Sequence, residues 1–217
     1  MSVGLGMDHA PAPELEHVQF WFDPLCPWAW IASRWMLHVE QVRPVHTEFR
    51  VMSLAYLNLE QRGGEGLDER YRALIEGAWG PVRVCAAAAE EKGDDVLGPL
   101  YTAIGTRFHV LGRREDPAVL AEALGEVGLP ASLAGAAEDP SFDDWVRRSH
   151  HEAFDQVGLD VGTPIIRIRG KAFFGPVMTP APTGEAAGRL FDGLALVTES
   201  DGFFEMKRSR DREPSFE

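Results

Sequence analysis

The segment HVQFWF, residues 17–22, is an aromatic and β-branched run that ends at Asp23-Pro24, and it reads as a buried strand. After Cys26 the period lengthens. Ile31, Trp35 and Val39 recur at every fourth position, the spacing of an amphipathic helix. Pro27 suits the first helical position, where its missing N–H is not needed. Pro44 stops this helix. Residues 45–52 then alternate, with Val45, Thr47, Phe49 and Val51 on one side and His46, Glu48, Arg50 and Met52 on the other, which predicts a second strand. Strand, helix and strand in this order form a βαβ unit, whose crossover is expected to be right-handed.

From about Leu67 to Val157 strand signals vanish and helical ones replace them. Gly80-Pro81 is expected to break one helix and open another, which carries VRVCAAAAEE. A further helix is expected from about Val96 to Phe108. Asp116-Pro117 and Asp139-Pro140 are cap-then-proline starts, and Gly128 and Gly158 sit where helices end. Strands return at Gly162. TPIIRIRGKAFF reads as a hairpin turned at Gly170-Lys171, followed by a last helix from about Gly184 to Val197. The chain thus divides into a flexible leader (1–16), an α/β domain in two pieces (17–60 and 160–207), an inserted all-helical subdomain (61–159) and a polar tail (208–217).

Composition narrows the function. The 217 residues are 45% hydrophobic and 25% charged, enough to build a core. A net charge of -13 argues against nucleic acid, which calls for a basic face. Two cysteines, Cys26 and Cys85, exclude a disulfide framework. The first residues lack a basic region followed by an apolar run, and no stretch approaches membrane-spanning length. The expectation is a soluble cytoplasmic protein with a small-molecule substrate and no membrane or nucleic-acid partner. Thiols stay reduced there, and a Cys-Pro pair is expected to be catalytic.

Cys26 falls at a strand-to-helix junction with Pro27 next to it. The unpaired N–H groups and partial positive charge of a helix N-terminus favour a thiolate, so its pKa is expected to lie below that of a free cysteine. Asp23 acts in the opposite direction if ionised. Thr163-Pro164 precedes a strand in the other half of the sheet. A cis bond there would set the preceding backbone beside the thiol as an edge for a thiol-bearing ligand. Trp28 offers a flat apolar face or a core aromatic. Cys85, among alanines, reads as a small packed residue. His150 and His151 are adjacent on a helix and face different ways, so core and surface roles are expected, and no metal site. Lys207, Arg208 and Arg210 would attract an acidic cofactor, but a solvated tail is the expectation. No flavin or nicotinamide motif is present.

The order of elements, with Cys-Pro at the first helix and Thr-Pro before the third strand, resembles the thioredoxin-like fold in its DsbA-like form. That superfamily includes 2-hydroxychromene-2-carboxylate isomerases and kappa-class glutathione transferases. FWFDPLCPWAW, SRW, FRVMSLAYLN, AWGPVRV, LYTAIG, SHH, VGTP and FFGPV resemble the actinobacterial mycothiol-dependent nitroreductases over about residues 17–207. The resemblance implies mycothiol or another low-molecular-weight thiol as cofactor, and a homodimer. It implies that Asn58 and Tyr71 line the substrate cleft, although Asn58 also reads as a turn residue. It places Phe174, Gly175 and Pro176 at the thiol-binding border, where a simple turn is the alternative. The family pattern is Cys-Pro-Trp-Cys, and Ala29 stands at its last position. In a dithiol site that second cysteine attacks the mixed disulfide and frees the product. Cys26 alone leaves a monothiol oxidoreductase, a thiol-binding transferase or reductase, and an isomerase that adds reversibly to a conjugated alkene. A non-catalytic binding protein on the same fold is the remaining alternative.

Overall fold

A computed structural model of the protein describes residues Glu14–Phe216. Most of the expected leader lies outside the described residues, and Glu16 already belongs to the first strand. The sheet has four strands in the order β2-β1-β3-β4. β1 (Glu16–Phe22) is central. It pairs in parallel with β2 (Val45–Val51) and antiparallel with β3 (Ile165–Ile168), and β3 pairs antiparallel with β4 (Lys171–Phe174). Helix α1 (Pro27–Glu40) connects β1 to β2, and α7 (Gly184–Glu199) closes the chain's last ββα unit. α2 (Glu69–Glu76), α3 (Trp79–Lys92), α4 (Leu97–Gly105), α5 (Val119–Glu126) and α6 (Asp143–Val157) come between β2 and β3. This is the thioredoxin-like arrangement with inserted helices.

β1 is apolar on both sides because both sides are covered. Val18, Phe20 and Phe22 join the main core with residues of α1, α3 and α4. Trp21 points the other way, into a second cluster with Ala153 and Phe154 of α6, and its indole N–H donates to Ser149 O at 2.8 Å. Ile31, Trp35 and Val39 belong to the buried stripe of α1. Trp35 reaches α7, where its N–H donates to Ala187 O at 3.1 Å.

One face of α4 seats the insert on the sheet. A Cβ at Gly98 would lie 2.8 Å from the Phe49 ring, and one at Gly105 would lie 2.3 Å from the Trp30 ring, distances that only glycine permits. Between them Tyr101 stacks on Phe22 with ring centroids 3.8 Å apart, and meets Trp30 edge-on. α4 then widens into a π turn, Thr106–Val110. There the His109 Nε2–H donates to Pro24 O at 2.9 Å, just ahead of Cys26. Elsewhere the Ser53 N–H donates to His150 Nδ1, so Nε2 carries the proton and donates to Gln61 Oε1 at 2.8 Å. His150 stacks on Phe154, while His151 pairs with Tyr56 and Asp155. Both histidines hold the fold together.

Several boundaries differ from the sequence reading. The hairpin turns at Arg169-Gly170, with φ of 51° and 81°. A two-residue turn that matches strand twist takes positive φ at both central positions, and Gly170 supplies one at no steric cost. α3 starts ahead of Gly80-Pro81, because proline is tolerated in a first turn whose N–H groups are unpaired. The tail is packed rather than loose: the Ser215 N–H donates to Thr179 Oγ1 at 2.8 Å.

Gly105→Ala would force a methyl into the Trp30 ring. Overpacking of about 1–3 kcal/mol outweighs the helix-propensity gain of about 1 kcal/mol, so thermal melting is expected to shift down. A higher melting temperature would contradict this contact. Acid stability is governed in part by the buried imidazoles. Burial lowers His109 to about 4 and His150 to about 3 from an ordinary 6.5. The unfolded chain therefore binds these protons first, and stability is lost as pH falls from 6.5 towards those values. Asp23, raised to about 6 from 3.8, runs the other way and partly offsets them. Urea unfolding from pH 7 to pH 4 is expected to show falling stability, and His150→Gln to flatten the slope.

Candidate active site

The loop Asp23–Cys26 is held at each residue. Asp23 is fully buried, and its carboxylate accepts from Leu25 N–H at 2.8 Å and Leu54 N–H at 2.7 Å. It therefore ties the exit of β1 to the exit of β2. The Cys26 N–H donates to Asp23 O at 3.0 Å. Pro24 O receives His109, and Leu25 O receives the Arg114 guanidinium at 3.4 Å. Desolvation raises the Asp23 carboxyl to about 6, opposed by the Leu54 and Leu25 amides and by Arg114.

This grip leaves Cys26 extended (φ -79°, ψ 114°) as the N-cap of α1, with Pro27 at the first helical position. Its Sγ accepts from the Ala29 N–H at 3.4 Å, and its S–H donates to Thr163 O at 3.4 Å. Thr163 is fixed by its own hydroxyl, which donates to Trp21 O at 2.8 Å. The Thr163–Pro164 bond is cis, and Pro164 O accepts from Gly175 N–H at 2.8 Å. The two halves of the α/β unit therefore meet at the sulfur, and Phe174-Gly175-Pro176 adjoins Pro164.

The expectation of a lowered thiol pKa is corrected. Cys26 is only 6% exposed, and burial pushes the thiol up to about 12. The Ala29 amide opposes this, as do Trp28 N–H and Arg210, while Asp23 adds to it. The helix N-terminus acts in the expected direction, but removal of the sulfur from water outweighs it. At rest Cys26 is a protonated thiol.

Tyr71 of α2 is 36% exposed. Its phenol is raised by burial and then by the charge Cys26 and Asp23 would carry, which places it within electrostatic reach of the thiol. Phe174 is exposed at the end of β4. Trp28 is half-buried, with the Arg210 guanidinium 4.9 Å from its ring centroid. Asn58 has a different place. Its amide donates to Leu54 O at 2.8 Å and accepts from Arg62 at 3.0 Å, holding the turn Tyr56–Gln61. Cys85 is fully buried on α3, and both cysteines are free. His109, Arg114 and Arg210 reach the site from segments with no motif. Only tertiary placement reveals His109 and Arg114, whereas Arg210 belongs to the basic stretch Lys207, Arg208 and Arg210 that the sequence reads as a solvated tail or an attractor of an acidic cofactor.

The chain matches the family model described as "Rv2466c-like: Mycothiol-dependent nitroreductase Rv2466c" over residues 25–208. It is 31% identical over 195 residues to "Uncharacterized protein Rv2286c" of Mycobacterium tuberculosis (strain ATCC 25618 / H37Rv), covering 89% of this chain and 82% of that protein. A probable DsbA oxidoreductase, SCO1869 from Streptomyces coelicolor, is similar in structure with a TM-score of 0.53 at 17% identity, over 88% of this chain and 94% of that one. A 2-hydroxychromene-2-carboxylate isomerase gives a TM-score of 0.54 at 13% identity, over 84% and 95%. At such identities the structural likeness concerns the fold. With the fold, the thiol at the head of α1 and the match over most of its length in agreement, the chain belongs to the Rv2466c-like mycothiol-dependent nitroreductase family.

Proposed function

We propose that the protein is a cytoplasmic monothiol oxidoreductase in which Cys26 is the only nucleophile and mycothiol, or another low-molecular-weight thiol, is consumed as co-substrate. One observation carries this reading. Cys26 sits between a helix N-terminal amide and the Thr163 carbonyl, and the residue whose N–H touches its sulfur is Ala29 rather than a second cysteine.

Cys26 loses its proton to solvent and attacks one sulfur of a disulfide; a bond to Sγ forms, the S–S bond breaks, and the other sulfur leaves as thiolate. Ala29 cannot attack the adduct, and Cys85 is locked in the core. Release therefore requires an external thiolate at the outer sulfur, which returns Cys26 as thiolate and leaves a new disulfide. The external thiol supplies that resolving sulfur. The protein supplies the Thr163 carbonyl, which orients the resting S–H, and the Trp28 and Ala29 amides, which stabilise the anion. Trp28, Tyr71, Phe174 and the cis Pro164 are the proposed lining. Contact of Sγ with water or a polar ligand relieves the desolvation that keeps the resting thiol protonated.

The same observation favours a second reading. Reversible addition to a conjugated alkene needs no second thiol: Sγ bonds to one alkene carbon, the resulting single bond rotates, and elimination restores both the thiolate and the double bond.

Intact-mass measurement after incubation with oxidised mycothiol is expected to show one adduct, lost in Cys26→Ser and released by added thiol. Cys26→Ser is expected to lower turnover at least about a hundredfold. Absence of the adduct, together with isomerisation of a conjugated acyl substrate, would transfer the assignment to the isomerase. In the resting protein, alkylation of Cys26 by iodoacetamide is expected to keep rising above about pH 9, because burial raises the thiol pKa beyond that of a free cysteine. A plateau below about pH 8 would mean that the helix end prevails over burial.

A further inference from the structure

The chain beyond α7 returns to the thiol. Ser215 is tied to Thr179 at 2.8 Å, and Phe216 lies against the His109 ring with centroids 5.5 Å apart. His109 in turn holds Pro24. Between Glu199, the last residue of α7, and these anchors, the segment lays Arg210 on Trp28, two residues past Cys26.

Arg210 makes no ion pair among the described residues, whereas Arg43, Arg83, Arg107, Arg113 and Arg147 all do. Arg114, on Leu25 O, also makes no ion pair among the described residues, and its charge acts on the buried Asp23. Asp23, the acid of the thiol loop, is fully buried with both oxygens engaged by backbone amides.

A guanidinium left without a carboxylate, beside the thiol in a chain of net charge -13, runs against the overall field of the protein. A guanidinium stacked on an indole keeps its N–H edge free, and that edge matches the two oxygens of a carboxylate.

We propose that Arg210, carried over Trp28 by the C-terminal segment, is a specificity-determining residue that receives a carboxylate or similar anionic group on the molecule Cys26 attacks. This rests on Cys26 being the nucleophile.

The experiment compares iodoacetate, an anion, with neutral iodoacetamide as alkylating agents, with modification at Cys26 followed by peptide mapping. The ratio of the two rates cancels any effect of a variant on thiol pKa or access. Arg210→Gln is expected to lower the iodoacetate-to-iodoacetamide ratio about threefold to tenfold, Arg210→Lys to keep most of it, and added salt to reduce it in the unaltered protein. An unchanged ratio in Arg210→Gln, with both rates moving together, would overturn the proposal and leave the segment as a cover only. Alkylation of Cys26 by neither reagent at any pH would overturn the nucleophile assignment, and this inference with it.

Discussion

The buried carboxylate of Asp23 is the constraint on which the site depends. It is fully removed from water and accepts from the amides of Leu25 and Leu54. Those amides belong to the loop after β1 and the segment after β2, so one side chain sets how two parallel strands leave the sheet. A buried carboxylate is costly unless its acceptors are used, and here each oxygen has a backbone donor. The loop so fixed ends at Cys26 with its side chain capping α1. Thr163, from the far half of the chain, then meets the sulfur from across the sheet.

The same burial that organises the loop keeps the thiol in its neutral form. Two opposing effects act on Cys26: amide dipoles at the head of α1 favour the anion, and desolvation disfavours it. Desolvation dominates in this closed arrangement. The balance is set by the surroundings of the sulfur rather than by its bonded neighbours, so contact with water or a polar group would shift it towards the anion.

Much of the fold is legible because each strand and helix carries its own periodicity. β1, α1 and β2 are readable from runs and four-residue spacings, and Cys26 from its place between them. The differences are local. The hairpin turn lies one residue earlier than the sequence suggests, since Arg169 at positive φ has no sequence signature of its own. The start of α3 precedes Gly80-Pro81 because proline is compatible with more than one position in a first turn. At the site, Asn58 has the right residue type for a ligand contact, yet Leu54 and Arg62 occupy its amide.

Residue types and spacing alone give the order of elements, the thiol at a helix start, and Ala29 three residues after it, where the family it resembles has a second cysteine. These are local facts, set by residue type and spacing along one segment. Tertiary structure decided the rest: that the thiol is buried and protonated, that His109 and Arg114 grip its loop, and that Arg210 lies on Trp28. Desolvation and long-range charge depend on what surrounds a group in space, and residues far apart in the chain provide those surroundings here.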